Sequence, residues 1–341
     1  MVQTTSRRIL AFVLAGGNGT RLRPLTNDDA KPALPFAGGY RIIDFVLSNL
    51  FNSQIACVYV LAQYKPHSLV QHLSSRWGVS SRGATHSLEV LLPRRRGEAH
   101  GYRGTADAVY QNIDVIDRHQ PELVAVFAAD HVYRMDVRQM IRFHHLRDAD
   151  VTVAAVPVPV QRASSFGIIG ADADGRVREF QEKPELPPTM PLRPDHACAS
   201  MGNYLFMPET LIDGLRRANA LGEHDFGRHL LPRFAQNHRT YAYDFASNRV
   251  PGVEPCEERA YWRDIGTLEA YRAALRDVVG AQPRFSLRNS AWPIRGDVAD
   301  RTTIRTPRLT GGEVGRRDRS AIVLRDNRPL SDIRDNWIVR S

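Results

Sequence analysis

A chain of 341 residues is long enough for one large domain with a sizeable core and an appendage. No apolar run approaches the roughly 18 residues that a membrane-spanning helix needs, so no membrane partner is expected. The net charge of +9 is concentrated at one end, where 281–341 carries thirteen Arg against seven acids, and no Lys/Arg run exceeds three residues; this leaves nucleic-acid binding a weak alternative.

Arg7-Arg8 ahead of an apolar run has the look of an export signal. The run is too short, however, and passes straight into a glycine loop, so the spacing predicts a strand over 9–14, buried on both faces. Residues 41–50 have helical spacing, and 56–61 reads as a second buried strand. A helix is expected over 66–77, with Pro66 near its start, and a loop-rich region over 78–101. Further on come a helix over 105–118 entered from Gly104, a strand over 123–127 running into Ala129-Asp130-His131, a helix over 135–147 and a strand over 151–158. Strand–helix alternation of this kind means parallel strands with crossover helices, and in such sheets ligands sit at the carboxyl ends of the strands. The loop after the first strand and Asp130 after a later one would then share one rim.

That first loop is the most informative stretch. Gly16, Gly17 and Gly19 let the backbone turn sharply and present N–H groups to a ligand. Arg21 follows as a forked cation suited to phosphate oxygens, and Lys31 adds a compact charge. Strand, glycine loop, Arg and Lys read together as a cradle for a polyphosphate; a glycine-rich turn with no ligand is the alternative. The pattern is neither a dinucleotide fingerprint, which would need Gly where Leu22 stands, nor a P-loop, which would need a Lys directly after the glycines. Of 46 basic residues only Lys31, Lys65 and Lys183 are lysines, a hint that a point charge on a thin stem is wanted there. Asp130 has two readings, a turn-forming acid or a ligand for Mg²⁺; the second requires another acid, for which Asp264 is a candidate. Cys57, Cys198 and Cys256 are far apart and odd in number, which suggests free thiols in a reducing cytoplasm.

Taken in order, LAGGNGTRL (14–22), AKP (30–32), RIIDFVLSN (41–49), YRGTADAV (102–109), ADHVY (129–133), SFG (165–167), EKP (182–184), ASMGNYLF (199–206), HDFG (224–227), YWRDIGTLEAY (261–271) and WPIR (292–295) resemble the ADP-glucose pyrophosphorylases, the glucose-1-phosphate adenylyltransferases of bacterial glycogen synthesis. LAGGxGTRL alone points only to sugar nucleotidyltransferases; RIIDF, YRGTADAV and YWRDIGT narrow the resemblance to the ADP-glucose branch.

The resemblance implies an α/β fold, a doubly wound, mostly parallel, Rossmann-like nucleotidyltransferase domain over 1–280, with 281–341 as a short C-terminal segment. It implies transfer of the adenylyl group of ATP to glucose 1-phosphate, giving ADP-glucose and pyrophosphate, in the cytoplasm and with Mg²⁺. Carried over by position, Gly16, Gly17 and Arg21 would hold the ATP phosphates with Lys31 beside them, and Gln63 and Gly104 would lie near the adenine. Asp130 and Asp264 would hold the metal. Lys183 would grip the glucose phosphate, with Glu182, Ser200, Tyr102 and Gly167 placing the sugar, while Trp262 is expected in the core.

Three features depart from the family pattern. Ala129 stands where a Gly usually precedes the metal Asp, and Asp28-Asp29 lies where bacterial members often carry basic residues for a phosphorylated activator. The family continues after WPIR into a left-handed β-helix, whereas only 46 residues follow Arg295, without a six-residue period. At least three stacked units are needed for a solenoid, so at most a stub is expected, with much of 297–341 irregular. The homo-oligomer of the family, a tetramer, is in doubt on the same ground. Two alternatives accompany the adenylyltransferase reading: an inactive or regulatory truncated homologue, and a sugar nucleotidyltransferase using another nucleotide.

Overall fold

The structure, a computed structural model, describes residues 9–77, 87–94, 101–191 and 193–296. The tail 297–341 and parts of the expected loop region 78–101 lie outside the described residues. In chain order the strands are β1 (Ile9–Ala15), β2 (Pro35–Phe36), β3 (Tyr40–Arg41), β4 (Cys57–Ala62), β5 (Ser87–Leu91), β6 (Leu123–Ala128), β7 (His131–Tyr133), β8 (Val151–Pro159), β9 (Gly167–Ala171), β10 (Val177–Glu182), β11 (His196–Phe206), β12 (Thr240–Asp244) and β13 (Trp262–Asp264). The α-helices are α1 (Ile42–Asn52), α2 (Pro66–Arg76), α3 (Thr105–Tyr110), α4 (Ile113–His119), α5 (Val137–Leu146), α6 (Pro208–Ala220), α7 (Leu231–Asn237) and α8 (Leu268–Asp277).

Among the described residues, nine strands form one sheet. Its spine runs β5-β4-β1-β6-β11-β8-β12, and the β9–β10 hairpin extends from the first half of β11. β1 pairs in parallel with β4 on one side and β6 on the other, so Phe12 stands between Tyr59 and Val126. Along the spine only β11 runs against the rest. The expected doubly wound, mostly parallel sheet is therefore present. Alternate residues of β1 pack on opposite faces: Ala11 and Val13 join the core under α1, α2 and α5, while Leu10 and Phe12 join the core under α3, α4, α6 and α7. This two-sided burial is why a continuous apolar run, rather than an alternating one, forms the strand.

Two expectations are corrected. The helix expected over 105–118 is two short helices broken at Gln111-Asn112. Asn112 is buried, and its side-chain amide donates to the Ala108 carbonyl (2.9 Å), the group its own backbone N–H would reach in a continuing helix. The region 78–101 also contains a strand: β5 extends the sheet beside β4, with Tyr59 opposite Glu89. Its Ser-Leu-Glu-Val-Leu alternation is the period of a strand covered on one face.

A third apolar cluster packs the glycine-loop side of the sheet. It joins Leu22, Phe36 and Phe45 to Tyr261, Ile265, Tyr271 and Leu275, and also to Phe285, Leu287 and Ile294. Residues 285–294 thus lie on the same body as the sheet. The RIIDFVLSN stretch is the girder here. Asp44 is buried and accepts from the Arg41 N–H (2.7 Å) and Trp77 Nε1 (2.8 Å), and lies 2.7 Å from His72 Nε2. Ser48 Oγ accepts from the Arg295 N–H (2.8 Å) and Asn52 donates to the Pro293 carbonyl (2.9 Å), so WPIR is tied to α1.

Candidate active site

β6 ends at Ala128; the chain turns through Ala129-Asp130 and re-enters as β7, which pairs antiparallel with β13. The register sets Asp264 opposite His131, and the Ile265 N–H donates to the Asp130 carbonyl (3.2 Å). Asn49 of α1 anchors the far end of this two-stranded ribbon, donating to the Tyr133 carbonyl (3.2 Å) and accepting from the Met135 N–H (2.9 Å). The ribbon is what brings the two acids together. Ala129, the departure from the family pattern, is fully buried in the apolar core with its methyl group.

Lys31 closes the pair. Its Nζ donates to Asp130 Oδ2 (2.7 Å) and Asp264 Oδ1 (3.3 Å), and its side chain is only 8% exposed. Burial alone would lower the Lys31 pKa, but the two carboxylates facing it more than offset that and hold it above the ordinary lysine value. Burial likewise works to raise the Asp130 carboxyl, and Lys31 and His131 outweigh it, so Asp130 stays ionised well below the usual carboxylate range. His131 Nε2 lies 3.3 Å from Asp130 Oδ1 and 3.8 Å from Asp264 Oδ1. One ligand atom from each of Asp130, His131 and Asp264 falls within 4.8 Å of the others. Two hard carboxylate oxygens at a strand end suit a divalent cation such as Mg²⁺, which takes one or two protein carboxylates and fills its shell with other oxygens.

The glycine loop lies against this cluster. Gly19 is the residue that the turn requires: its φ is +62°, and a Cβ there would stand 2.9 Å from Thr26 Cγ2 and 3.3 Å from Lys31 Cβ. Thr26 Oγ1 donates back to the Gly19 carbonyl (2.8 Å). A Cβ on Gly17 would meet nothing within 4 Å, so that backbone faces open space. Arg21 is exposed and makes no ion pair with a described residue; its Nη2 would lie 3.4 Å from a Cβ on Gly266, two residues past Asp264.

Gln63, at the end of β4, ties the loop to the next segment. Its amide donates to the carbonyls of Gly16 (3.4 Å) and Tyr102 (3.3 Å) and accepts from the Tyr102 N–H (2.5 Å). Tyr102 therefore sits with Gln63 and Gly16, while its hydroxyl is engaged by Asn112 (3.2 Å) and the Leu91 carbonyl (3.4 Å). Lys65 Nζ donates to the carbonyls of Thr26 (2.8 Å) and Asn27 just before Asp28-Asp29.

A second group gathers around Glu182 at the end of β10. Lys183 follows with φ +52°, its N–H donating to the Phe166 carbonyl (3.0 Å) and its Nζ 3.0 Å from Glu182 Oε1, with its side chain 51% exposed. A Cβ on Gly167 would overlap the Phe180 ring and stand 3.1 Å from Glu182 Oε2; one on Gly227 would overlap that same oxygen. Asp225, beside Gly227, accepts from Thr105 Oγ1 (3.0 Å). Gly104 is the close-approach point before α3, where a side chain would overlap the His224 carbonyl that accepts from the Ala106 and Asp107 N–H groups. Gly104, Gly167 and Glu182 thus come together through the 224–227 segment.

The two groups are joined by a bulge in β11 between Ser200 and Tyr204. Ser200 Oγ accepts from the Gly202 N–H (3.2 Å) and lies 3.5 Å from the Tyr204 hydroxyl. A Cβ on Gly202, which has φ +70°, would stand 3.1 Å from Ala128 Cβ and 3.6 Å from His131 Cε1. Trp262 is buried as expected, packed between His131 (centroids 5.0 Å apart) and Phe166 (5.5 Å), so it spans the same gap. The positive φ of Gly19 and the places of His131, Asn49 and Gly227 in the site are not evident from the amino-acid pattern. All four lie in stretches already singled out, and His131 is the immediate neighbour of Asp130.

A glycine loop after a central parallel strand, facing one acid just past the adjacent strand and a second delivered by β13, is the arrangement of a nucleotide-binding transferase. The family described as Nucleotidyl transferase matches residues 10–279. The chain is 52% identical over 288 residues to the glucose-1-phosphate adenylyltransferase of Thermodesulfovibrio yellowstonii, covering 84% of this chain and 70% of the relative. It is 46% identical over 317 residues to that of Thermus thermophilus (90% and 76% covered) and 48% identical over 293 residues to that of Mycobacterium leprae (85% and 72% covered). The chain belongs to the nucleotidyl transferase family and, within it, to the glucose-1-phosphate adenylyltransferases. Among the described residues no helix is long and apolar enough to cross a membrane.

Proposed function

We propose that the chain joins ATP and α-D-glucose 1-phosphate into ADP-glucose and pyrophosphate, for glycogen or another α-glucan. The observation that carries this beyond kinship is the cluster of Lys31, Asp130 and Asp264 beside a glycine loop at the carboxyl ends of β1 and β6. In the reaction an oxygen of the glucose phosphate attacks the α-phosphorus of ATP as the bond to the departing pyrophosphate breaks. Such a transfer needs no enzyme nucleophile; it needs two polyanions held in line with their charge neutralised.

The residues divide that work. Backbone N–H groups around Gly16 and Gly17, with Arg21, hold the triphosphate, and Lys31 lies close enough to join them. The resemblance gives Gln63 and Gly104 to the adenine and Tyr102 to the sugar; Tyr102 lies beside Gln63, and Gly104 lies against the 224–227 segment next to Glu182. Lys183 is a point charge for the glucose phosphate, and Glu182, Ser200 and Gly167 place the sugar. Asp130 and Asp264 would hold Mg²⁺, which when bound neutralises charge on phosphate oxygens. The expectation of a cytoplasmic enzyme is carried by the resemblance alone.

The test is incubation of the purified chain with Mg²⁺, glucose 1-phosphate and ATP or another nucleoside triphosphate in turn. Equal amounts of ADP-glucose and pyrophosphate from ATP, with much less product from the others, are expected. Preference for another triphosphate would overturn the adenylyl assignment.

A further inference from the structure

Lys31 occupies the place between two carboxylates that a divalent cation would take. Its stem runs beneath the glycine loop, with Cβ 3.3 Å from where a Cβ on Gly19 would stand. The ammonium is therefore at the junction of the proposed metal ligands and the proposed phosphate cradle, on a side chain with four rotatable bonds. With both acids ionised, Lys31 cancels one of two negative charges and leaves a divalent cation a net charge of only −1 to bind. The cation would also sit against a buried ammonium, where repulsion is poorly screened. Triphosphate oxygens change both terms at once, since they offer the ammonium another partner and the cation further ligands.

We infer that Lys31 is an internal cation that keeps the Asp130–Asp264 pair closed to free divalent metal until nucleotide phosphates draw its ammonium away. Metal then enters with the nucleotide rather than before it. The side chain is a positioning device in the ligand-free protein and a phosphate contact in the loaded one. This inference rests on the reading of Asp130 and Asp264 as metal ligands.

The probe is Mn²⁺, titrated into the full chain without nucleotide and followed by its paramagnetic resonance signal. Wild type should bind none saturably in the micromolar range. Lys31→Met should gain one site at least about tenfold tighter than any in wild type, because a neighbouring positive charge is gone. The double variant Lys31→Met with Asp130→Asn should lose it. Equal Mn²⁺ affinity in wild type and Lys31→Met would overturn the inference while leaving the metal reading standing. A gain that survives in the double variant would overturn the metal reading, and the inference with it. Should Lys31→Met fail to fold, thermal unfolding of wild type decides: no rise in Tm with Mn²⁺ alone, together with a rise from Mn²⁺ plus a non-hydrolysable ATP analogue beyond that from the analogue alone that Asp130→Asn removes, supports the inference, and no Mn²⁺-dependent rise in either case overturns the metal reading and the inference with it. A saturable rise with Mn²⁺ alone that Asp130→Asn removes refutes it, since a ligand that binds the native state must stabilise it.

Discussion

Two of the chain's three lysines end on carboxylates, in opposite surroundings. Lys31 is 8% exposed and held between two acids; Lys183 is 51% exposed and leans on one. A buried charge must be partnered, and removing a partner is expensive, whereas an exposed pair is worth at most about 1 kcal/mol. The first end is rigid by construction, with Asp264 delivered by the β7–β13 ribbon and Asn49 bracing it. At the second, Lys183 stands at φ +52° where the chain leaves β10, free to exchange Glu182 for a phosphate. The two carboxylates of the nucleotide end are thus set before substrate arrives, with only the Lys31 ammonium left to move, whereas at the sugar end the whole Lys183 side chain stands out to meet its ligand.

The largest effect is expected at the rigid end. Asp130→Asn should lower kcat by about 10²–10³ through lost charge stabilisation, with the fold retained because Asp264 still partners Lys31. A near-normal kcat with Mg²⁺ would break the contrast at its root. Next comes Gly167→Ala, whose methyl would overlap the buried Phe180 ring. Overpacking of this kind typically costs about 1–3 kcal/mol in urea unfolding, and it should also raise KM for glucose 1-phosphate by crowding Glu182. Unchanged stability and KM would mean that the sugar end is looser than described.

Lys183→Gln should raise KM for glucose 1-phosphate by about tenfold and leave KM for ATP nearly unchanged, since it removes a contact to one substrate. Equal changes in both would dissolve the division between the ends. The last effect leaves catalysis untouched and concerns stability alone. His144 is buried with Nδ1 2.8 Å from Thr152 Oγ1, and burial, with the neighbouring His145, pushes its pKa down to about 4. The unfolded chain binds this proton below about pH 6.5 and the native protein only near pH 4, so stability falls as pH drops through that window. The slope is at most about 1.4 kcal/mol per pH unit. His144→Gln should flatten this part of the acid limb in urea titrations without altering either KM; an unchanged limb would rule His144 out as its source.

The sheet was legible because its strands are covered on both faces, and unbroken apolar runs such as 9–14 and 123–127 have few other uses. Their order was not, since nothing in the runs says that β11 enters antiparallel between β6 and β8. Short elements escaped altogether. β7 and β13 are three residues each, too short for any period, yet their pairing places Asp264. Asp130 could be suspected from its place at a strand end, whereas Asp264 was one candidate for the second acid that the Mg²⁺ reading required, with no apolar run before it to mark a strand end. The break at Asn112 escaped because it depends on one side-chain amide reaching Ala108. Gly19 was visible as a glycine but not as the one with positive φ, which depends on Thr26 and Lys31 closing over it. Lys31 itself was read as a phosphate ligand; its position between the acids depends on three distant segments meeting.

The most direct test of the account follows the α-phosphorus. With ATP radiolabelled there, glucose 1-phosphate and Mg²⁺, all consumed label should appear in ADP-glucose, matched by unlabelled pyrophosphate, with none attached to the protein at any time in a rapid-quench series. Label in free AMP, or on the protein before product forms, would contradict direct transfer between two substrates held by Arg21, Lys31 and Lys183.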